Sequence, residues 1–595
     1  NGGTGNTAVG RRALQLNTTA ISNTAVGEYA LGANTTGNNN VAIGSTALGA
    51  NTTGTRNLAI GTNAYDASDT ENDNIAIGYD AMTTNTAGGT RNIAIGNYAM
   101  DAHTSGDYNV AIGYGAMGAN TSAGECVAIG DEALSSLANT SNASVAVGFQ
   151  ALKANLTHSN VAVGHSALLA TTTGHSNTAI GTNAGAANTT GLRNIAIGVQ
   201  AYDGSDTEND NLAIGYDAMT TDTAGGENNV AIGNYSMDAH TSGDSNTAVG
   251  VNTLTTSTTG ANNTTVGHNA LYSNSTGDSN TAIGVSALAA NLASSNIAIG
   301  VNAATANTTG TRIIAIGNNA YAQSDTENDN LAIGYAAMTA NTAGGSENLA
   351  IGNYTLDALT SGDSNTAVGF NALSANTTAG RNTAVGQRAL VANTTGANNT
   401  AVGQTALEEN STASNNTFVG KEAGRRITEG DNNTGIGVDA GENITTGSNN
   451  TSVGYNANPT STTVDNEITL GNGSNDNLRC ADTSISALSD SRDKTNIVDI
   501  PLGLSFLNTV RPVSFDWDTR DGTRVGKKDF GFIAQELKTV ADATDYADHM
   551  RLVQDNNPDK LEADPMKMFP ILVKAIQELS AKNDALLARI ETLEG

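Results

Sequence analysis

The sequence predicts a mainly β protein: a parallel β-roll, or β-solenoid, of about 28 rungs, followed by a small α+β region that ends in a helix. The unit NTAVGxxALxANTTGxx recurs from Gly10 to Gly454, and its motif glycines are almost always 17 residues apart. The composition changes after the repeats, because all six prolines lie at or after Pro459 and the single tryptophan is Trp517. These observations divide the chain into a repetitive part, 1–471, and a more ordinary C-terminal part.

Each repeat is predicted to form one rung, because its core alternates with a period of two residues and turn residues follow it. In the third copy, Val41 and Ile43 share one face of the strand, and Ala42 and Gly44 share the other. We expect the β-branched face to line the inside of the rung and the Ala/Gly face to admit another backbone. Rungs stacked about 4.8 Å apart would form a shaft roughly 130 Å long.

The small size of the rung predicts a homotrimer. One rung encloses little apolar volume, and a single chain would leave the Ala/Gly face in water. Three chains that share this face would bury it. The repetitive part, 1–471, carries VAIG motifs. It resembles the β-roll head repeats of trimeric adhesins, which carry NSVAIG-like motifs, and also the repetitive shafts of bacteriophage fibres.

The turns carry candidate ligand residues that we interpret as solvated surface residues. The acidic loops Asp69–Asp73, Asp206–Asp210 and Asp325–Asp329 cluster oxygen atoms but lack the glycine of a calcium-binding loop. His103 and His240 lie in matching DAHTSGD turns and form no His-x-His pair. We therefore predict no metal site and no cofactor.

Composition and register disfavour several classes of function. The formal net charge of −30 repels phosphate backbones, so we expect no nucleic-acid binding. No run of about 20 apolar residues is present, so we expect no membrane insertion. The regular spacing of the motif glycines leaves no room for an inserted catalytic domain, which disfavours an enzyme acting on host glycans. Cys126 and Cys480 lie in different copies and are not expected to pair.

The C-terminal part contains several motifs in a fixed order. The segment SDSRDKTNI begins at Ser489, after a connector of residues 472–488, and is followed by GLSFLNTVRPVSFDW, GFIAQEL and a final apolar segment. These motifs resemble the intramolecular chaperone auto-processing domain of the endosialidase type, which is found at the C-terminus of phage tailspikes and fibres. The resemblance assigns residues 489–569 to such a domain.

The resemblance also implies a reaction. A domain of this family helps three chains to fold in register and then cuts itself off, here between Leu488 and Ser489. Ser489 would be the nucleophile and Lys494 the general base. Three further positions match the motif: Asp490, Arg492 and Asn496.

The implied chemistry is reasonable for these residue types. A serine hydroxyl needs a base to become a good nucleophile, and Ser–Lys pairs provide one. A lysine with an ordinary pKa of about 10.4 is protonated at neutral pH. Burial or a neighbouring cation such as Arg492 would lower that pKa, whereas Asp490 and Asp493 would raise it if they were close. The sequence leaves this balance open.

The final segment, 570–595, is predicted to form a trimeric coiled-coil helix. Apolar residues alternate at spacings of four and three, with one asparagine at a core position. The heptad positions are Leu572, Ile576, Leu579, Asn583, Leu586, Ile590 and Leu593. A single amphipathic helix that packs on its own domain is the alternative.

Together these features predict a trimeric phage tail fibre, a structural and adhesive component of the virion that cleaves itself once. Its partners would be two further copies of the chain and a host-cell surface receptor, either a glycan or an outer-membrane component. The chain opens in mid-motif, so we expect the natural N-terminal part to be missing. Two alternatives stay open: a bacterial trimeric surface adhesin with the same rungs, and a trimerisation chaperone that does not cleave.

Overall fold

The fold was analysed in a computed structural model of the chain. The structure describes residues 2–85, 88–136, 143–221, 225–341, 344–475, 489–519, 524–555 and 561–595. The chain divides into two compact units, Asn1–Asp363 and Ser364–Gly595, and each is described by itself.

The first unit consists of parallel rungs. Each rung contributes one strand of three residues, and each strand pairs in register with the strand of the next rung, as Val41 does with Leu58 and Ile43 with Ile60. The strands are β1 Thr7–Val9, β2 Thr24–Val26, β3 Val41–Ile43, β4 Leu58–Ile60, β5 Ile75–Ile77, β6 Ile93–Ile95, β7 Val110–Ile112, β8 Val127–Ile129, β9 Val145–Val147, β10 Val161–Val163, β11 Thr178–Ile180, β12 Ile195–Ile197, β13 Leu212–Ile214, β14 Val230–Ile232, β15 Thr247–Val249, β16 Thr264–Val266, β17 Thr281–Ile283, β18 Ile297–Ile299, β19 Ile314–Ile316, β20 Leu331–Ile333 and β21 Leu349–Ile351.

The second unit continues the rung pattern and then changes to a small α+β region. Its rung strands are β22 Thr366–Val368, β23 Thr383–Val385, β24 Thr400–Val402, β25 Thr417–Val419, β26 Thr434–Ile436, β27 Thr451–Val453 and β28 Ile468–Leu470. The α+β region contains a 3-10 helix Ser491–Asp493, α1 Leu504–Leu507, β29 Val513–Asp516, β30 Lys528–Gly531, α2 Ala534–Asp542, α3 Ala547–Met550, β31 Val553–Gln554, β32 Glu562–Ala563, a 3-10 helix Pro565–Met568 and α4 Phe569–Glu594. The predicted fold class, a parallel solenoid of about 28 rungs and a small α+β region ending in a helix, is confirmed.

The prediction of which strand face points into the rung was wrong. The central alanine of the strand is the buried residue: Ala42 is fully buried, whereas Val41 is half-buried and Ile43 is 40% exposed. The interior also receives an alanine and a larger side chain from the turn, such as Ala47 and Leu48. Because these turn residues occupy the narrow interior, only a small side chain fits on the inner face of the strand. The β-branched residues therefore point outward.

Two columns of buried asparagines form hydrogen bonds with backbone N–H and C=O groups inside the rungs. The Asn40 amide N–H donates to Asn23 Oδ1 (2.8 Å), and the Asn57 N–H donates to Asn40 Oδ1 (2.9 Å). The side-chain amide of Asn40 donates to the carbonyl oxygen of Gly54 (2.7 Å). Asn51 belongs to the second column, and its Nδ2 donates to the same Gly54 carbonyl (3.2 Å). These bonds connect each rung to its neighbours, because buried backbone groups must be paired.

The glycine that ends each strand is required by backbone conformation and space. Gly61 has a φ of 136°, a conformation that L side chains rarely adopt. A Cβ atom at this position would overlap the carbonyl group of Gly78 in the next rung. The motif glycine therefore allows successive rungs to stack closely at the corner.

In one rung an aromatic ring takes the place of the small side chain at the centre of the strand. Phe418 occupies the central position of β25 and is fully buried. Three glycines surround it, and a Cβ atom added to Gly424 or Gly441 would lie 2.6 or 2.9 Å from its ring, while one added to Gly435 would overlap the ring. The volume of the phenyl ring is thus offset by the loss of neighbouring side chains.

The α+β region has one small apolar core. Its members come from α1, α2, α3, the residue before β31, the second 3-10 helix and the start of α4: Phe506, Leu537, Ala541, Met550, Leu552, Met568 and Ile571. Glu578 in α4 accepts a hydrogen bond from the Leu504 N–H (2.8 Å), which caps the first turn of α1. This core positions α4 against the rest of the region.

Candidate functional site

The candidate site lies on a short turn at the start of the described C-terminal region. Asp490 precedes the 3-10 helix Ser491–Asp493, and its Oδ1 accepts a hydrogen bond from the Arg492 N–H (2.9 Å). Lys494 follows the helix, and its N–H donates to the Ser491 carbonyl (3.3 Å). Aspartate is a favoured capping residue, so the SDSRDK sequence itself produces this turn.

The turn brings Ser489 and Lys494 together. Lys494 Nζ donates a hydrogen bond of 2.6 Å to Ser489 Oγ. Both residues are exposed in the single chain. The structure therefore pairs the nucleophile and the base that the sequence predicts, although a five-residue separation alone does not require their contact.

The neighbouring charges pair with each other. Arg492 Nη2 lies 2.5 Å from Asp490 Oδ2. The guanidinium hydrogen bonds hold the pKa of the Asp490 carboxyl below its usual range. The positive charge of Arg492 is thus directed to Asp490.

Of the two remaining residues predicted at the site, the structure describes Asn496 but not Leu488. Asn496 has a φ of 55°, a left-handed conformation that asparagine tolerates better than most residues. Leu488, the residue on the other side of the predicted cleaved bond, lies outside the described residues, as do Cys480 and most of the predicted connector.

The predicted surface position of the two turn histidines was wrong. His103 and His240 are fully buried, and each ring donates through Nε2 to a turn carbonyl, that of Gly106 (2.8 Å) or Gly243 (2.7 Å). They occupy positions where neighbouring rungs place a buried asparagine such as Asn120. Burial lowers the pKa of both histidines below 6.5.

The acidic loops were predicted to be solvated turns, but each holds one buried and hydrogen-bonded glutamate. Glu71 is buried, its Oε2 accepts from Ser68 Oγ (2.7 Å), and its Oε1 accepts from the Gly88 N–H of the next rung (3.1 Å). The equivalent glutamates Glu208 and Glu327 bind the next rung in the same way. Sequence reasoning missed this role, and the signal available was the repetition of SDTEND one rung before each AGG segment.

Within the described ranges, no group of three or more His, Cys, Asp or Glu side chains is arranged to hold a metal ion. None of the helices in the described part of the chain combines the length and apolar character needed to cross a membrane.

Comparison with known proteins assigns the C-terminal segment. Residues 489–549 match the family model described as chaperone of endosialidase, a domain of the self-cleaving serine peptidase type. The match begins at Ser489, the predicted nucleophile. No curated protein and no solved structure matched the chain. The chain thus combines a β-solenoid of 17-residue rungs with a C-terminal segment similar to the endosialidase chaperone family.

Proposed function

We propose that the chain is a trimeric phage tail fibre whose C-terminal domain directs folding of the trimer and is released by autoproteolysis between Leu488 and Ser489. The observation that carries this proposal is the 2.6 Å contact between Lys494 Nζ and Ser489 Oγ at the first residue of the matched segment. A serine hydroxyl beside an amine at the start of a chaperone domain is suited to cut that domain from the chain before it.

The cleavage needs only one turnover per chain. Lys494 in its neutral form takes the proton of Ser489 Oγ, which attacks the carbonyl carbon of Leu488. The C–N bond breaks, the Ser489 nitrogen accepts the proton, and an ester joins Leu488 to the serine oxygen. Water then hydrolyses this ester, which leaves a carboxylate at Leu488 and restores the serine hydroxyl. Exclusion of water around Lys494 by neighbouring chains would favour the neutral amine.

The outward face of the rungs supports trimerisation. The Val or Ile side chain that ends each strand from β1 to β27 forms an apolar stripe along the rungs of each unit, with Ile180 42% exposed in the first and Ile436 48% exposed in the second. Contiguous exposed apolar surface of this length marks an interaction surface. The stripe, rather than the Ala/Gly face, is the surface that we assign to contact between chains.

The terminal helix supports the same assembly. Its inner face packs on the domain core through Ile571 and Ala575, which are buried. The heptad positions point elsewhere, and Ile576, Leu586 and Leu593 are all exposed in the single chain. Because the domain already contacts a different face of α4, the heptad seam is available for two further helices.

A C-terminal clamp is useful because the rungs are nearly identical. Chains that differ in alignment by one rung would make almost the same contacts. A trimer that forms first at the C-terminus sets the alignment, and cleavage then makes the assembled fibre hard to disassemble. The fibre would be an extracellular part of the virion that binds a host-cell surface receptor.

Intact mass spectrometry of the purified chain tests cleavage. The wild type is expected to split at Leu488–Ser489, and Ser489→Ala and Lys494→Ala are expected to stay whole. Ser491→Ala in the same turn is the matched control and is expected to cleave. An intact wild-type chain, or cleavage of Ser489→Ala, would refute the assignment.

Native mass spectrometry of uncleaved Ser489→Ala tests the trimer. The mass is expected to be three times that of the chain. Adding Leu586→Asp on the seam is expected to weaken the trimer, whereas Ala588→Asp on the opposite face of the helix should not. A monomeric Ser489→Ala chain would overturn the assembly proposal.

A further inference from the structure

Pairs of tyrosines in ring contact, each with at least one exposed member, recur at three places in the first unit. In each pair the first tyrosine follows a motif glycine, and the second follows the glycine of the next rung by two positions. The rings meet edge to face with centroids 5.4–5.5 Å apart and interplanar angles of 72–78°. The pairs are Tyr79–Tyr98, Tyr216–Tyr235 and Tyr335–Tyr354, and at the first site Tyr98 also meets Tyr114 edge to face at 5.7 Å.

The first tyrosine of each pair is exposed, and its backbone is hydrogen-bonded to the next rung. Tyr79, Tyr216 and Tyr335 are 42–45% exposed. The backbone N–H of each first tyrosine donates at 2.9–3.0 Å to the side-chain oxygen of an asparagine in the next rung. These asparagines are Asn97, Asn234 and Asn353. Each tyrosine pair is therefore fixed before any ligand arrives, which lowers the entropy cost of binding.

Carboxylates lie beside two of the pairs. The negative charge of Asp80 raises the pKa of Tyr79, and Asp217 does the same to Tyr216. At the third pair the equivalent residue is Ala336. The first two pairs thus have a carboxylate beside the exposed ring of their first tyrosine, with Asp80 Oδ1 accepting from Asn63 Nδ2 (2.8 Å) and Asp217 Oδ1 buried, so that Oδ2 of each is the oxygen left for a ligand. The third pair presents the aromatic face without that carboxylate.

We propose that these tyrosine pairs bind neutral saccharides. The C–H face of a pyranose ring packs on an aromatic ring, and its hydroxyl groups donate to carboxylate oxygens such as Asp80 Oδ2. The chain carries a formal charge of −30, which disfavours sialylated, sulfated or phosphorylated glycans. The proposal rests on the adhesive function proposed above and names the chemical class of the receptor.

Contact between copies is a poorer explanation of the pairs. An interface built from repeating rungs should use equivalent positions in successive rungs, as the Val/Ile stripe does. The position of Tyr79 is instead occupied by Ser45 and Thr62 in the two preceding rungs and by Asn97 in the next, and a tyrosine returns there only at Tyr114, two rungs on. The pairs are therefore local sites on the solenoid.

The spacing of the sites suits a long polysaccharide. Tyr79 follows β5, Tyr216 follows β13 and Tyr335 follows β20, so the sites are eight and seven rungs apart. At about 4.8 Å per rung these separations are roughly 38 and 34 Å. A repeating glycan that reaches several sites would bind much more tightly than a single sugar.

The experiment applies the processed wild-type fibre to a glycan microarray that carries neutral hexose, deoxyhexose and N-acetylhexosamine oligosaccharides beside sialylated and sulfated ones. Tyr79→Ala/Tyr216→Ala/Tyr335→Ala removes one ring from each pair. The matched control, Tyr108→Ala/Tyr272→Ala/Tyr455→Ala, removes exposed tyrosines outside the pairs. Binding to neutral glycans by the wild type and the control, with at least a tenfold loss in the first variant, is expected.

Three glycan-binding results would overturn the proposal: no neutral glycan retained by the wild type, equal retention by both triple variants, or binding only to anionic glycans. Native mass and cleavage are measured on the same samples. A cleaved trimer without glycan binding defeats this proposal and leaves the fibre assignment standing. Loss of the trimer in the first triple variant alone would assign the tyrosines to contact between copies.

Discussion

The rungs and the C-terminal region bury their side chains in contrasting ways. Inside each rung, small side chains such as Ala42 and hydrogen-bonded asparagines such as Asn40 are fully buried by adjacent rungs. In the described part of the C-terminal region, seven buried residues form one core and large side chains are left in water, with Phe530 84% exposed. The rungs repeat one packing arrangement, whereas the sequence of the C-terminal region occurs once.

This difference explains why one chain would need both regions. Each rung contacts only its neighbours, so damage to one rung should remain local. For the same reason the rungs would carry little information about how the three chains of the proposed trimer align. The C-terminal region would supply that information in the proposed trimer, because its surfaces occur once. Four substitutions or conditions test this contrast, from the largest expected effect to the smallest.

Gly61→Ala should have the largest effect and should act locally. The new Cβ atom would overlap the carbonyl group of Gly78 and would impose a φ that alanine resists. We expect the free energy of opening around β4 and β5 to fall by about 4 kcal/mol or more. Hydrogen exchange measures this opening rung by rung. Gly32→Ala is the control, because the equivalent position in later rungs holds Asp66 and Thr83.

Phe418→Ala should open a cavity in one rung. Loss of a buried phenyl ring costs about 3–5 kcal/mol, and hydrogen exchange should increase near β25 but not in distant rungs. Adding Gly424→Leu and Gly435→Ala restores the side chains of an ordinary rung and should recover most of the protection. Equal loss of protection in every rung would contradict the local behaviour.

Leu537→Ala should destabilise the whole C-terminal region. Its side chain belongs to the single core, so there is no neighbouring repeat to limit the damage. We expect a loss of about 2–5 kcal/mol in the free energy of unfolding of this region. Thermal unfolding of the Ser489→Ala background would show a lower transition for the C-terminal region and an unchanged one for the rungs. Leu587→Ala, on an exposed position of α4, is the control.

Acid should weaken the rungs that contain buried histidine. Burial lowers the folded-state pKa of His103 and His240 below that of the unfolded chain, so the unfolded state binds more protons as the pH falls. Their contribution to stability is complete above about pH 6.5 and declines as the pH falls toward the folded-state pKa. The third duplicated turn carries the buried Leu359 instead. Hydrogen exchange at pH 7 and pH 5 should show increased opening around both histidines; a change of the same size around Leu359 would contradict the cause.

Much of the fold follows from the sequence, because the TAVG and VAIG cores place each strand and the turn residues separate them. The inward face could not be deduced in this way. Alternation shows that Val41 and Ile43 share a face, but the space left by Leu48 and Ala47 decides which face is buried. Similarly, the motif predicts Ser489 and Lys494, yet their contact depends on the turn that Asp490 caps. The burial of Glu71 depends on a glycine in the next rung, which no single repeat reveals.

Refolding tests most directly whether the C-terminal domain is an assembly tool. The processed wild-type fibre and the uncleaved Ser489→Ala trimer are denatured in guanidinium chloride, diluted under the same conditions and measured by native mass spectrometry. The account predicts that Ser489→Ala regains the trimer, whereas the fibre separated from its C-terminal domain does not. Equal recovery of both trimers would show that the rungs align by themselves and would contradict the account.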